Sequence, residues 1–236
     1  ILFSGDAYVD HPSFGPAVIC RILEAQGLRV AIVPQPNWRD DLRDFKKLGR
    51  PRLFFGISAG CMDSMVNKYT ANKRLRSEDA YTPDGRPDMR PEYPSIVYSQ
   101  ILKKIYPDVP VVLGGIEASL RRLSHYDYWQ DKVQKSILCD SGADLLIYGM
   151  GEKPIVELCK RMQSSVEIPT DILQTAYLCN ATEMESIRAE GDIELYSHEE
   201  CLKDKKKNRR VIFDISKKSP INMLPHVYCN GSINGW

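Results

Sequence analysis

Ile1-Leu2-Phe3-Ser4-Gly5, the stretch 16–26, Gly27, and then Leu28-Arg29-Val30-Ala31-Ile32-Val33 together decide the fold. The first run is short and apolar and stops at a glycine, as a strand does where it leaves a sheet. In 16–26, Val18, Ile19, Ile22 and Leu23 recur at helical spacing, with Pro16 suited to the first turn and Gly27 to the C-cap. A second apolar run follows, so residues 1–33 read as strand, helix and parallel strand.

Three more short apolar runs lie further along, at 52–57, 109–113 and 144–148, separated by helical patterns. Strands that are apolar throughout are buried on both faces, which indicates a parallel sheet with helices on either side. The predicted class is α/β, a doubly wound, mainly parallel, five-stranded sheet, Rossmann-like or flavodoxin-like, in the order 2-1-3-4-5. Ligands of such sheets bind at the carboxyl ends of the strands, near the switch point. Residues 1–166 form this domain. Between its third and fourth strands lies a long connection rich in Pro, Asp, Arg and Tyr, read over 70–94 as a flap on the carboxyl edge, with a plain surface insertion as the alternative. Residues 167–207 read as an extension, with a candidate edge strand at 175–180 and a capping box, Ser197-His198-Glu199-Glu200, opening a helix. The stretch 208–236 fits no element of this fold.

Composition narrows the class of function. The chain has 236 residues, 43% hydrophobic and 27% charged, as an ordinary globular protein has. Lys and Arg number 32 against 31 Asp and Glu, a net charge of +1, so nucleic acid and anionic membrane are not expected partners and any anion site must be local. The basic run 203–210 reads as a solvated linker. No apolar run approaches the roughly 18 residues that span a bilayer, and the first residues carry no export signal, so a cytoplasmic protein is expected. Seven scattered cysteines without CxxC or CxxxCxxC spacing encode neither a disulfide framework nor a metal cluster. Cys61 stands apart, because a helix N-terminus beside it would lower its pKa.

Candidate chemistry concentrates in the strand-end loops. After the first strand, Asp10 directly precedes His11, a pair that either sets an imidazole tautomer for a metal or simply caps a tight turn. Ser58 follows the third strand with glycines around it. Gly114 and Gly115 follow the fourth, directly before a helix carrying Glu117, and let a ligand reach the main chain. Gly149 and Gly151 repeat the pattern after the fifth. Arg121, Arg122, His125, Tyr126 and Trp129 fall close together and read either as docking and anion contacts or as core packing. GxGxxG is absent after the first strand, so no nicotinamide fingerprint is present.

These loops carry a resemblance. Gly5-Asp6-Ala7-Tyr8-Val9-Asp10-His11-Pro12-Ser13-Phe14-Gly15, Asp79-Ala80-Tyr81-Thr82-Pro83, Gly114-Gly115-Ile116-Glu117-Ala118-Ser119-Leu120-Arg121-Arg122 and His125-Tyr126-Asp127-Tyr128-Trp129 resemble the N-terminal domain of the bacterial YgiQ-like radical SAM proteins over residues 1 to about 205. The resemblance implies a following barrel that binds a 4Fe-4S cluster and S-adenosylmethionine and acts on a substrate that is unassigned. Neither cofactor is carried over to this chain, which lacks the CxxxCxxC motif and is expected to be inactive alone. The fold is also similar to the cobalamin-binding domains that precede other radical SAM barrels, where Ser58 and Gly114-Gly115 occupy comparable places. Their DxHxxG pattern is not matched, because Asp10 directly precedes His11. Three readings follow: an accessory domain positioning substrate or cofactor over the barrel, a cobalamin carrier, or a protein-docking module acting through residues 126–129.

Overall fold

The computed structural model describes residues 1–8, 14–165, 167–187, 194–204, 206–207 and 210. Its first unit follows the local rules. β1 (Leu2–Ser4), α1 (Phe14–Ala25) and β2 (Ile32–Pro34) form a right-sized crossover, with Leu2 opposite Ile32 and Phe3 opposite Val33 in a parallel ladder. Gly27 closes α1 at φ 78°, a conformation that costs a residue without Cβ nothing. A short α2 (Arg43–Lys46) buries Phe45, which stacks on Phe3 with ring centroids 5.3 Å apart.

β3 (Phe55–Ser58) pairs with β1, and α3 (Ser64–Lys68), the flap and α4 (Pro94–Ile105) lead to β4 (Val111–Gly114) beside it. α5 (Gly115–Leu120) starts with no intervening loop. A hairpin not foreseen from the sequence follows, β5 (His125–Asp127) with β6 (Lys132–Gln134), and stands apart from the main sheet. α6 (Ile137–Ser141) returns the chain to β7 (Leu145–Ile147), parallel to β4, and α7 (Glu152–Ser164) crosses back over the sheet.

The expected strand count and order need correction. The sheet has six strands, not five, in the order β2-β1-β3-β4-β7-β8, where β8 (Thr175–Ala176) is an antiparallel edge on β7. The five parallel strands keep their order in space, but β5 and β6 intervene in the chain and the extension adds the edge. Thr175 and Ala176 of the extension are therefore part of the sheet. α8 (Ala181–Ile187) lies in this extension, and α9 (His198–Lys203), opened by the expected Ser197 capping box, docks on the hairpin through a 2.9 Å contact between His198 Nδ1 and Ser124 Oγ. Of 208–236, only Arg210 lies within the described residues.

Alternation along the strands sorts the apolar side chains to two cores. Phe3, Phe55, Ile57, Val111 and Leu113 pack with Tyr98 and Leu102 of α4 on one face. On the other, Val112, Leu145 and Ile147 pack with Leu23 of α1 and Ile155 and Leu158 of α7. Among the described residues no helix is long and apolar enough to cross a membrane.

Candidate functional site

Between α1, α7 and the carboxyl ends of β3, β4 and β7 lies a cleft of about 350 Å³. Its floor is open at Gly114, at the end of β4, where no side chain projects, whereas the space over Gly56 in β3 is filled by the Leu2 side chain, whose Cδ2 would lie 2.6 Å from a Cβ there. Ile19 of α1 and Ile155 of α7 form the walls, and Phe14 and Met150 stand exposed at the mouth. The lining is mostly apolar, with main-chain groups of the glycines, the Ser58 hydroxyl and Glu152 at the start of α7 as its polar features, a composition that suits a small molecule with an apolar or flat part.

Two glycines here have distinct physical reasons. Gly115 has φ 83°, and a Cβ on it would lie 2.7 Å from Ser58 Oγ, so only glycine lets β4 turn directly into α5 beside β3. Gly114 is extended at φ −154°, and the nearest atom to a Cβ there is the Ile147 carbonyl oxygen at 3.9 Å. Its missing side chain is thus what keeps that part of the cleft open.

The expected site residues divide. Ser58, Gly114, Gly115, Gly149 and Gly151 come together around the cleft. Asp10 and His11 lie outside the described residues, although Phe14 and Gly15 just beyond them line the cleft. Glu117 does not line it. Its fully buried carboxylate accepts the backbone N–H of Ser64 at 3.2 Å and of Ser95 at 3.1 Å, joining the starts of α3 and α4. Arg121 is buried in an ion pair with Asp63 and lies 5.0 Å over the Tyr93 ring. Arg122 stacks over Tyr148 at 4.8 Å, and burial lowers its pKa. His125 pairs Nδ1 with the Leu123 carbonyl at 3.0 Å, so Nδ1 carries the proton, and burial holds the ring pKa below its usual value. Tyr126 is half-exposed on the hairpin, and Trp129 packs against Tyr69 with ring centroids 5.6 Å apart.

The stretch 70–94, expected as a flap or a plain insertion, is anchored to the end of β1, and none of its residues lines the cleft. Arg90, 4% exposed, donates to Asp6 Oδ1 at 2.8 Å and to both oxygens of Asp79, which ties the flap to the end of β1. Gln35 donates to Thr82 Oγ1 at 2.8 Å, and the Ala7 N–H to the Tyr81 carbonyl at 2.9 Å. The expectation for Cys61 is reversed. Burial raises its thiol pKa, the nearby Asp6 charge adds to the rise, and the Tyr81 hydrogen bond only partly opposes it. α3 begins at Ser64, and its first N–H groups are already taken by Asp63 and Glu117, leaving little dipole for the thiol. Among the described residues no group of three His, Cys, Asp or Glu side chains is placed to hold a metal ion.

Cleft and sheet define an α/β domain of the doubly wound class with a cleft at its strand ends, the edge where such sheets place their sites. The sequence matches the family model described as Radical SAM N-terminal over residues 1–223, and the chain belongs to that family, as the N-terminal domain of YgiQ-like radical SAM proteins. The match continues past Asn208, further than the resemblance read from the sequence. The chain is 76% identical to a UPF0313 protein of Bacteroides thetaiotaomicron over 232 residues, covering 93% of this chain and 37% of that protein. It is 67% identical to a UPF0313 protein of Porphyromonas gingivalis, covering 93% and 35%, and 54% identical to the UPF0313 protein YgiQ of Salmonella typhimurium, covering 75% and 25%. The chain therefore spans little more than a third of the length of the first two relatives. No solved structure matches.

Proposed function

We propose that this domain holds a substrate or cofactor in the carboxyl-edge cleft and presents it to a radical SAM barrel elsewhere in a longer protein. The observation that carries this reading is the cleft itself, of about 350 Å³, floored in part by Gly114 and edged by glycine main chain after β4 and β7 and by Ser58 at the end of β3. Radical chemistry belongs to the barrel, where a 4Fe-4S cluster and S-adenosylmethionine would supply it. The residues of this domain do not fit the cluster, since cysteines at the required spacing are absent and the described residues hold no ligand set. What this domain contributes is binding, orientation and exclusion of water at the walls of Ile19 and Ile155.

Cobalamin is the second occupant worth testing. A corrinoid held without a protein ligand suits a site with an apolar floor, main-chain groups at its edge and no imidazole among its described lining residues. Calorimetric titration with hydroxocobalamin and, separately, S-adenosylmethionine tests both readings, using Gly114→Val and His11→Ala as comparisons. Valine adopts the extended backbone at 114 and its Cβ meets nothing nearer than the Ile147 carbonyl oxygen at 3.9 Å, and urea unfolding of the variant checks that it keeps the fold. Saturable binding abolished by Gly114→Val and kept by His11→Ala supports the cleft as the site and, for hydroxocobalamin, ligation without His11. Binding insensitive to Gly114→Val overturns the cleft as the site.

A further inference from the structure

The fold brings together two segments that lie far apart in the chain. Residues 70–76, at the tip of the flap, carry Lys73, Arg74 and Arg76 and no acidic residue. The hairpin tip carries Tyr126, Tyr128 and Trp129. Tyr128 Oη donates to the Ala71 carbonyl at 2.7 Å, Lys73 Nζ donates to the Trp129 carbonyl at 3.2 Å and lies 4.8 Å over the Tyr128 ring, and Trp129 packs on Tyr69. Flap tip and hairpin are thus one surface.

Its chemistry is unlike that of the rest of the molecule. Tyr126 in β5 and Tyr128 in the turn after it are both exposed, while Asp127 between them is buried and accepts from the Tyr93 hydroxyl at 2.7 Å. Both tyrosines are 51% exposed and Leu75 beside them 53%. Lys73, Arg74, Arg76 and the hairpin residue Lys132 have no carboxylate partner among the described residues, whereas most other exposed arginines in this domain are paired. The acidic groups near them are Glu78, exposed, Asp131, which accepts from the Tyr126 hydroxyl, and Asp79, Asp88 and Glu92, which are already paired with Arg90, with Arg39 and Lys68, and with Lys68. A chain of net charge +1 concentrates unpaired cations where it also exposes aromatic rings.

We propose that this flap-and-hairpin surface binds single-stranded nucleic acid, with Arg74 and Lys132 contacting phosphates and Tyr126 stacking on an unpaired base. Cations that track a backbone, interleaved with rings that accept any base, are the physical requirements of such binding. A duplex does not meet them, because its base faces are already stacked. The proposal is independent of what fills the cleft, which lies on the α1 and α7 side of the sheet and shares no lining residue with this surface.

Fluorescence anisotropy with a labelled oligouridylate of about twelve nucleotides tests it on the 236-residue chain. Saturable binding is expected, falling with salt. Arg74→Glu combined with Lys132→Glu weakens it at least about tenfold and reduces the slope of log K against log salt by about 1.4, two phosphates at roughly 0.7 each. Tyr126→Ala weakens it about tenfold with the slope unchanged, and Tyr126→Phe, which keeps the ring, restores it. The proposal is overturned if the oligonucleotide does not bind, if Tyr126→Ala has no effect, or if a duplex of equal length or a phosphatidylserine vesicle binds as tightly. It is equally overturned if a longer protein carrying this domain buries Tyr126 against a following domain and leaves the oligonucleotide unbound.

Discussion

At the scale of single residues, burial rather than charge pairing sets the state of the imidazoles. His125 donates through Nδ1 to the Leu123 carbonyl, its Nε2 is buried without a partner, and its pKa is lowered chiefly by desolvation. His198, which joins α9 to the hairpin through Ser124, is lowered for the same reason. The sign of the pH effect follows. In the unfolded chain a histidine titrates near about 6.5, so below that pH the unfolded state takes up protons that the folded rings refuse. Their contribution to stability is complete above about pH 6.5 and declines as the pH falls from there toward the lowered folded pKa. Urea unfolding between about pH 7 and about pH 5 is expected to show falling stability, and His125→Asn to flatten part of that fall. A profile identical in the variant would mean that the ring titrates freely. The carboxylates of Asp44 and Asp88, lowered by their own hydrogen bonds, withdraw stability only at lower pH.

At the scale of elements, Glu117 explains how short helices are held at the strand ends. α4 begins after Tyr93 in a left-handed conformation with no side-chain cap, and Pro94 has no N–H, so the Ser95 N–H is the first that needs an acceptor. Glu117 Oε1 supplies it, while Oε2 takes the Ser64 N–H at the start of α3. One carboxylate on α5, itself only six residues long, thereby fixes three helices. Removing it leaves two buried donors unsatisfied at roughly 1–3 kcal/mol each. Glu117→Ala is expected to lose about 2–5 kcal/mol in urea unfolding, and Glu117→Gln, which keeps one acceptor oxygen, about half of that. Cleft binding that tracks stability in these variants would match a structural role. A loss of binding in Glu117→Gln at unchanged stability would return Glu117 to the ligand.

At the scale of the whole molecule, the flap is held to the sheet by one buried cation between two carboxylates. Arg90 bridges Asp6 at the end of β1 and Asp79 of the flap, with side chains 4%, 2% and 7% exposed. Removing the cation leaves both charges buried and uncompensated, at a cost of about 3–5 kcal/mol. Arg90→Ala is expected to show that loss in unfolding and faster hydrogen exchange at the Ala7 amide, which donates to the flap carbonyl of Tyr81. Retained protection at Ala7 would show that the flap stays closed through its other contacts, such as Gln35 to Thr82.

Local order was legible in the sequence where one residue or one period decides it. The βαβ unit of residues 1–33 needs only apolar spacing, Pro16 and Gly27, and the Ser197 capping box is a contact between neighbours. The glycines around the cleft were legible too, because each follows an apolar strand and the fold class places all strand ends on one edge. Other features required partners distant in the chain. Asp6 and Arg90 are 84 positions apart and Asp63 and Arg121 are 58, and no pattern within either segment marks the partner. The same limit hid the separate β5–β6 hairpin, the role of Glu117, the raised thiol pKa of Cys61 and the meeting of flap and hairpin. Periodicity along the chain therefore determined the class of fold, its parallel strands and the edge that carries the cleft, since those depend on which faces are apolar. Charge states, the anchoring of residues 70–94 to the end of β1 and the surface shared by residues 70–76 and 126–129 were decided only by tertiary structure, because burial and pairing depend on what the folded chain brings alongside.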